Sequence, residues 1–233
     1  MIVTIGNSCI ALALGFSLFG MVLYFSSRKT VKPELASSLA ALGRIAVYVN
    51  FALATMATLS MVYALLGDDF SVSYVAHVGA RETPRWVSAI SLWSSLEGSI
   101  LFWVWLLSAF SAVCIYRYRK QHESLMAWVG FVLLITQFFF FLLLALPANP
   151  FLPMSPIPMN GPGPNPLLQN HWLMAIHPPF LYIGYIGFTI PFAFAVASLL
   201  EEQLPPHWIT LTRRWTLLAW SFLSMAIILG GWW

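Results

Sequence analysis

LMAWVGFVLLITQFFFFLLLAL, residues 125–146, decides the class of this protein. The run contains no Asp, Glu, Lys, Arg or His, and it exceeds the roughly 20 helical residues that cross about 30 Å of hydrocarbon. Working outward, similar apolar runs occupy roughly 8–26, 39–66, 98–116, 180–200 and 215–231, the last near the short limit for a span. Composition agrees: the 233 residues are 60% hydrophobic and 8% charged, where a soluble domain carries about 25% charged residues. The expected fold is an all-α integral membrane protein with about six transmembrane helices in one domain, residues 1–233, solvated largely by lipid. No positive charge precedes the first apolar run, so it reads as a retained helix and not a cleavable signal.

Basic residues set the expected topology. Arg28, Lys29 and Lys32 follow the first run, Arg117, Arg119 and Lys120 the third, and Arg213 and Arg214 precede the sixth. These connections are expected on the cytoplasmic side. The connections 67–97 and 147–179, with Arg81 and Arg85 as their basic residues, are then outer loops, and both termini lie on the outer, periplasmic side. A formal net charge of +3 is topology information, and no nucleic-acid partner is expected. Cys9 and Cys114 form no CxxC or CxxCH and read as small apolar residues packed in helices.

In the first outer loop, Thr83-Pro84 predicts a helix start. Trp86, Ile90 and Trp93 follow at helical spacing, as in a short interfacial helix or an ordinary tryptophan belt. The second outer loop carries PANPFLPMSPIPMNGPGPNPLLQN, with eight prolines in 24 residues and no charge. It cannot be helical, and its uncharged, partly apolar character predicts that it packs on something.

Ionisable residues inside spans are the first functional candidates. Arg44 lies near the cytoplasmic start of the second run and can snorkel. Glu97 falls at the outer start of the third, where the helix dipole favours a carboxylate. No Lys, Asp or His falls at mid-membrane depth, which argues against an ion pump. His122 and His207 fall in cytoplasmic connections and are expected to be solvated; His77 and His171 have no supporting context. His177 is different. Pro178 and Pro179 fit the start of a helix and push the preceding residue toward an extended conformation. That places His177 at the outer membrane surface above Phe180, Tyr182 and Tyr185. A neutral imidazole there is either an axial ligand for haem iron or a hydrogen-bonding group at a helix mouth. ILGGWW, residues 228–233, emerges on the same side; Gly230 and Gly231 permit close approach of a flat group, and Trp232 and Trp233 present aromatic faces or anchor the interface.

Together, LEGSILFWVWLLS (96–108), NPLLQNHWLMAIHPPFLYIGYIGFTIPFAFAVASLL (165–200) and GGWW (230–233) resemble the CcmF/NrfE family, the haem lyase subunits of bacterial and mitochondrial cytochrome c maturation. The resemblance covers the N-terminal portion of a family member. It implies that His177 is an outer axial ligand to haem b handled as substrate, with Pro178, Pro179, Tyr182 and Glu97 in support. It also implies that Trp232 and Trp233, with Gly230 and Gly231, begin the family's tryptophan-rich WWD segment. The implied partners are a haem chaperone of the CcmE type, apocytochrome c bearing CxxCH, and the chaperone of that motif. The implied location is a bacterial inner membrane, or a mitochondrial one for a split organellar gene. The rest of the WWD segment and the further histidine ligands would lie beyond Trp233, so the chain reads as a truncated product or one part of a split protein, inactive alone. The rival expectations are a transporter or channel component and a non-catalytic assembly scaffold.

Overall fold

The computed structural model describes residues 1–120, 122–166, 171–201 and 208–233. His207 and residues 167–170 of the proline-rich connection lie outside the described residues. The helices are α1 (Ile2–Lys29), α2 (Pro33–Leu66), α3 (Ser73–Val78), α4 (Arg85–Ile90), α5 (Leu96–Tyr118), α6 (Glu123–Ala145), α7 (Leu173–Gly187), α8 (Thr189–Leu200) and α9 (Trp208–Trp232), with a 3₁₀ turn at Ser91–Trp93. Among the described residues six helical segments are long and apolar enough to cross a membrane, α7 and α8 together making the fifth. The spans exceed the apolar runs that predict them: α2 has 34 residues and reaches about 51 Å at 1.5 Å per residue, well beyond the hydrocarbon thickness.

The core is a bundle of α1, α2, α5 and α6. The buried stripe of α1 is mostly small (Gly6, Cys9, Ala13, Ser17, Gly20) and lies against Ala46, Asn50, Ala54 and Ala57 of α2. Small facing residues let membrane helices approach closely where no hydrophobic force drives them together. Inside this seam Asn50 donates from its amide nitrogen to Ser17 Oγ at 2.7 Å and to Gln137 Oε1 at 3.1 Å, tying α1, α2 and α6 together. At one end of the bundle Arg28 makes an ion pair with Glu201 at 3.1 Å, and Ser124 donates to the same carboxylate. That end holds all but Arg81 and Arg85 of the chain's 11 Lys and Arg residues.

At the opposite end lie both termini and both long connections. The short helix expected after Thr83-Pro84 forms, one residue later, as α4. The proline-rich connection packs as anticipated, on the first long connection and the start of α1. Ser73 N–H donates to Leu152 O and Met154 N–H to Ser71 O, both at 2.8 Å, around a bridge between Val72 and Pro153. Asn160 accepts from Arg81 N–H and donates to Glu82; this amide holds the Glu82 carboxyl below its usual range. Asn149 donates to Asn7 Oδ1 on α1 at 2.8 Å.

α9 stands apart. It packs against α7 and α8, and only 17% of its most apolar stretch is buried, against 56% for α5 and for α6. Its contact with α7 is close: a Cβ at Gly184 would meet the Leu223 backbone nitrogen at 2.6 Å, so no larger residue fits there. α7 and α8 are nearly continuous, interrupted at Phe188. Pro191 has no N–H for the Gly187 carbonyl, and a proline inside a helix breaks it at this distance.

Candidate functional site

His177 does not sit at a helix mouth. α7 begins at Leu173, and both Pro178 and Pro179 lie inside it, so His177 is helical and not extended as the sequence predicts. The physical reason is a donor distant in sequence. Pro178 cannot return an N–H to the carbonyl of Met174 four residues back, an omission that normally breaks a helix. Trp93 Nε1 donates to that carbonyl at 2.9 Å instead. Just before the helix, His171 Nδ1 accepts from Leu173 N–H at 3.3 Å.

The imidazole of His177 is oriented by α9. Its Nδ1 lies 2.9 Å from the Ala226 carbonyl oxygen. A carbonyl can only accept, so Nδ1 carries the hydrogen and, in the neutral ring, Nε2 keeps its lone pair free. Backbone carbonyls fix metal-binding histidines in this way. The ring lies against Gly230, where a Cβ would meet His177 Cε1 at 2.7 Å. Glycine at this position is therefore a condition of the ring's placement. Trp233 closes the contact edge-on, its ring centroid 5.5 Å from that of His177.

A cavity of about 230 Å³ opens here, lined by Trp93, Met174, His177, Leu181, Tyr182 and Trp233. Tyr182 is held by its hydroxyl, which donates to Ser99 Oγ at 3.2 Å, and packs edge-on against Phe102. The cavity is smaller than the roughly 300–1,000 Å³ of a complete ligand pocket. The described residues therefore supply one wall of a site: a free imidazole nitrogen, flat aromatic faces and the buried thioether-bearing Met174.

The sequence-predicted residues divide. His177, Pro178, Tyr182, Gly230 and Trp233 come together, with Pro179 next in the same turn. Trp232 is 73% exposed, and a Cβ at Gly231 would meet nothing within 4 Å; neither is tied to the imidazole. Glu97 faces a different cavity, beside Ser95 and His77. Phe180 packs on Phe222, and Tyr185 is exposed. Sequence reasoning did not place Trp93 or Met174 in the site; the mid-helix prolines are the signal, since they require an outside donor.

A protein-family model described as Cytochrome C assembly protein matches residues 93–233, which takes in Trp93, His177 and Trp233. The chain is 37% identical over 235 residues to the cytochrome c-type biogenesis protein CcmF of Haemophilus influenzae, covering 100% of this chain and 35% of that one. It is 38% identical to CcmF of Escherichia coli K12, covering 98% and 35%, and 34% identical over 184 residues to NrfE of Haemophilus influenzae, covering 78% and 29%. The solved structure of cytochrome c heme lyase CcmF superposes with a TM-score of 0.84 at 34% identity, over 100% of this chain and 36% of that one. The chain thus spans about a third of the length of the relatives it matches. A multi-pass helical membrane protein with this match to its last 60% or so, it belongs to the cytochrome c assembly protein family.

Proposed function

We propose that this chain supplies part of a cytochrome c haem lyase, the part that holds haem by its iron at the outer membrane surface. The carrying observation is the fixed tautomer of His177: with Nδ1–H given to Ala226 O, Nε2 keeps its lone pair on a ring that lines the aromatic cavity. Haem is here a substrate, accepted from a CcmE-type chaperone and presented to apocytochrome c. The Cys thiols of CxxCH, held by their own chaperone, add across the haem vinyls, each sulfur bonding to the inner vinyl carbon while a proton goes to the terminal one. The role of this chain is orientation and exclusion: His177 positions the iron, and Trp93, Tyr182 and Trp233 cover part of the ring and keep water from it. Gly230 and Trp233 support the reading of the chain's last residues as part of the WWD segment; Gly231 and Trp232 belong to that reading by sequence.

The location follows from charge. The end rich in Lys and Arg is cytoplasmic by the distribution rule for short connections, which puts both termini, His177 and both long connections on the outer side of a bacterial inner membrane. A transporter reading finds no charged side chain among the buried polar groups of the described residues, all of which are neutral Ser, Thr, Asn or Gln. A scaffold reading predicts that His177 tolerates substitution.

The test is His177→Ala in the protein as it functions in the cell, scored by holocytochrome c yield together with membrane abundance of the variant. Yield should fall at least about tenfold, the loss of roughly 1.4 kcal/mol or more of ligation, at unchanged abundance. Full maturation would overturn the role.

A further inference from the structure

Back to back with the His177 cavity lies a second one of about 370 Å³, lined by Ser73, Tyr74, His77, Ser95, Glu97 and Asn149. The two share a wall at the Ser94–Ser95 peptide, Ser94 facing one and Ser95 the other; consecutive Cα atoms are about 3.8 Å apart. The polar groups of the second cavity can be counted one by one. Tyr74 spends its hydroxyl as a donor to the carbonyls of Ser91 and Leu92, at 2.8 and 3.0 Å, and burial pushes its phenol up so that the proton stays. Asn149 is also committed, accepting from Phe151 N–H and donating to Asn7. His77 gives Nδ1–H to the Ser73 carbonyl at 2.8 Å, which leaves Nε2 as an acceptor in the neutral ring. Ser95 donates to Glu97 Oε2 at 3.3 Å, and among the described residues Oε1 has no such bond.

The open charged and ring positions are therefore acceptors, a Glu97 carboxylate oxygen and His77 Nε2, beside the neutral hydroxyl and amide groups of Ser73, Ser95 and Asn149. The cationic side chains at this end are engaged elsewhere, Arg85 with Asp68 and Leu66 O, and Arg81 over the Phe70 ring. Neither of the ion pairs among the described residues includes Glu97. A cavity whose charged lining group is a carboxylate without a cationic partner is complementary to a cation carrying several N–H donors. We infer that this cavity is a docking site for a basic side chain, arginine or lysine, of the polypeptide brought to the neighbouring His177 site, with Glu97 as its counter-charge and His77 as its second acceptor. The polypeptide source rests on the lyase reading; the cation site itself does not. Its position fits a recognition contact that registers a peptide one short step from the group it is to be joined to.

The experiment uses the protein purified from its own membrane into phosphatidylcholine nanodiscs, probed with a short fluorescent peptide carrying one arginine. The arginine peptide should bind, and salt should weaken it. Glu97→Gln should weaken it about tenfold, as loss of one charge-assisted bond would, and the same peptide with citrulline should bind the wild-type protein equally poorly. His77→Ala, at an exposed position where folding is not at stake, should weaken it about threefold. His177→Ala should leave peptide binding intact while removing haem, so the two readings fail separately. Equal binding to wild type, Glu97→Gln and His77→Ala would overturn the site. Abolition of peptide binding by phosphatidylethanolamine in the nanodisc would overturn the polypeptide occupant in favour of a lipid amine.

Discussion

The α1–α2–α6 seam and the α7–α9 rim both join helices through polar side chains, to opposite ends. In the seam Asn50 spends both amide hydrogens, on Ser17 and on Gln137, and all three residues are fully buried. That bond set holds helices together. On the rim His177 spends one ring nitrogen on the Ala226 carbonyl and keeps the other open to a cavity, beside a helix whose large residues, Trp220 among them, face outward. Interhelical hydrogen bonding joins buried side chains of three helices in the seam, whereas on the rim it orients one ring and leaves its second nitrogen without a bond among the described residues.

Substitutions can break this contrast. The largest effect is expected at Gly230→Leu, which pushes side-chain atoms into the His177 ring; overpacking of this kind costs about 1–3 kcal/mol, and haem retention on purification should fall about tenfold. Gly231→Leu, with open space around it, should retain haem like the wild type, and equal losses in the two variants would refute the packing argument. Next comes Trp93→Phe. It keeps a ring but leaves the Met174 carbonyl without its donor, a loss of about 1–3 kcal/mol that should alter the ligand-field spectrum of bound haem and not merely its amount. Asn50→Leu acts on the other side of the comparison: melting in detergent should show about 1 kcal/mol of lost stability, with cytochrome maturation unaffected. Smallest of all, Trp232→Ala should change haem retention less than Trp233→Ala, because only Trp233 lies against the imidazole.

The six spans were legible because each rests on a local property, an apolar run of sufficient length. The meeting of His177 with Gly230 and Trp233 was legible too, since alternating connections bring the fifth span's start and the sixth span's end to one side. Pro178 and Pro179 were misread for a definite reason. The preference of proline for a first helical turn is local, whereas the bond that lets α7 start at Leu173 comes from Trp93, 81 residues earlier. Glu97 was expected in a supporting role; the structure turns the carboxylate into the adjoining cavity, and one peptide separates the two walls. The tautomer of His177 had no local signal at all, because its carbonyl partner is 49 residues away on another helix.

Two of the aromatic side chains lining the His177 cavity, Trp93 and Trp233, are indoles. Indole emission overlaps the strong near-ultraviolet absorption of a porphyrin, and energy passes between them most efficiently at van der Waals distance. With haem in the cavity as proposed, its walls would be an optical gauge of its contents, darkening as the site fills and brightening as it empties. Replacing Trp233 with phenylalanine would remove part of that signal while leaving the Trp93 bond to Met174 in place, so the difference between the two proteins would report occupancy at this one position in real time.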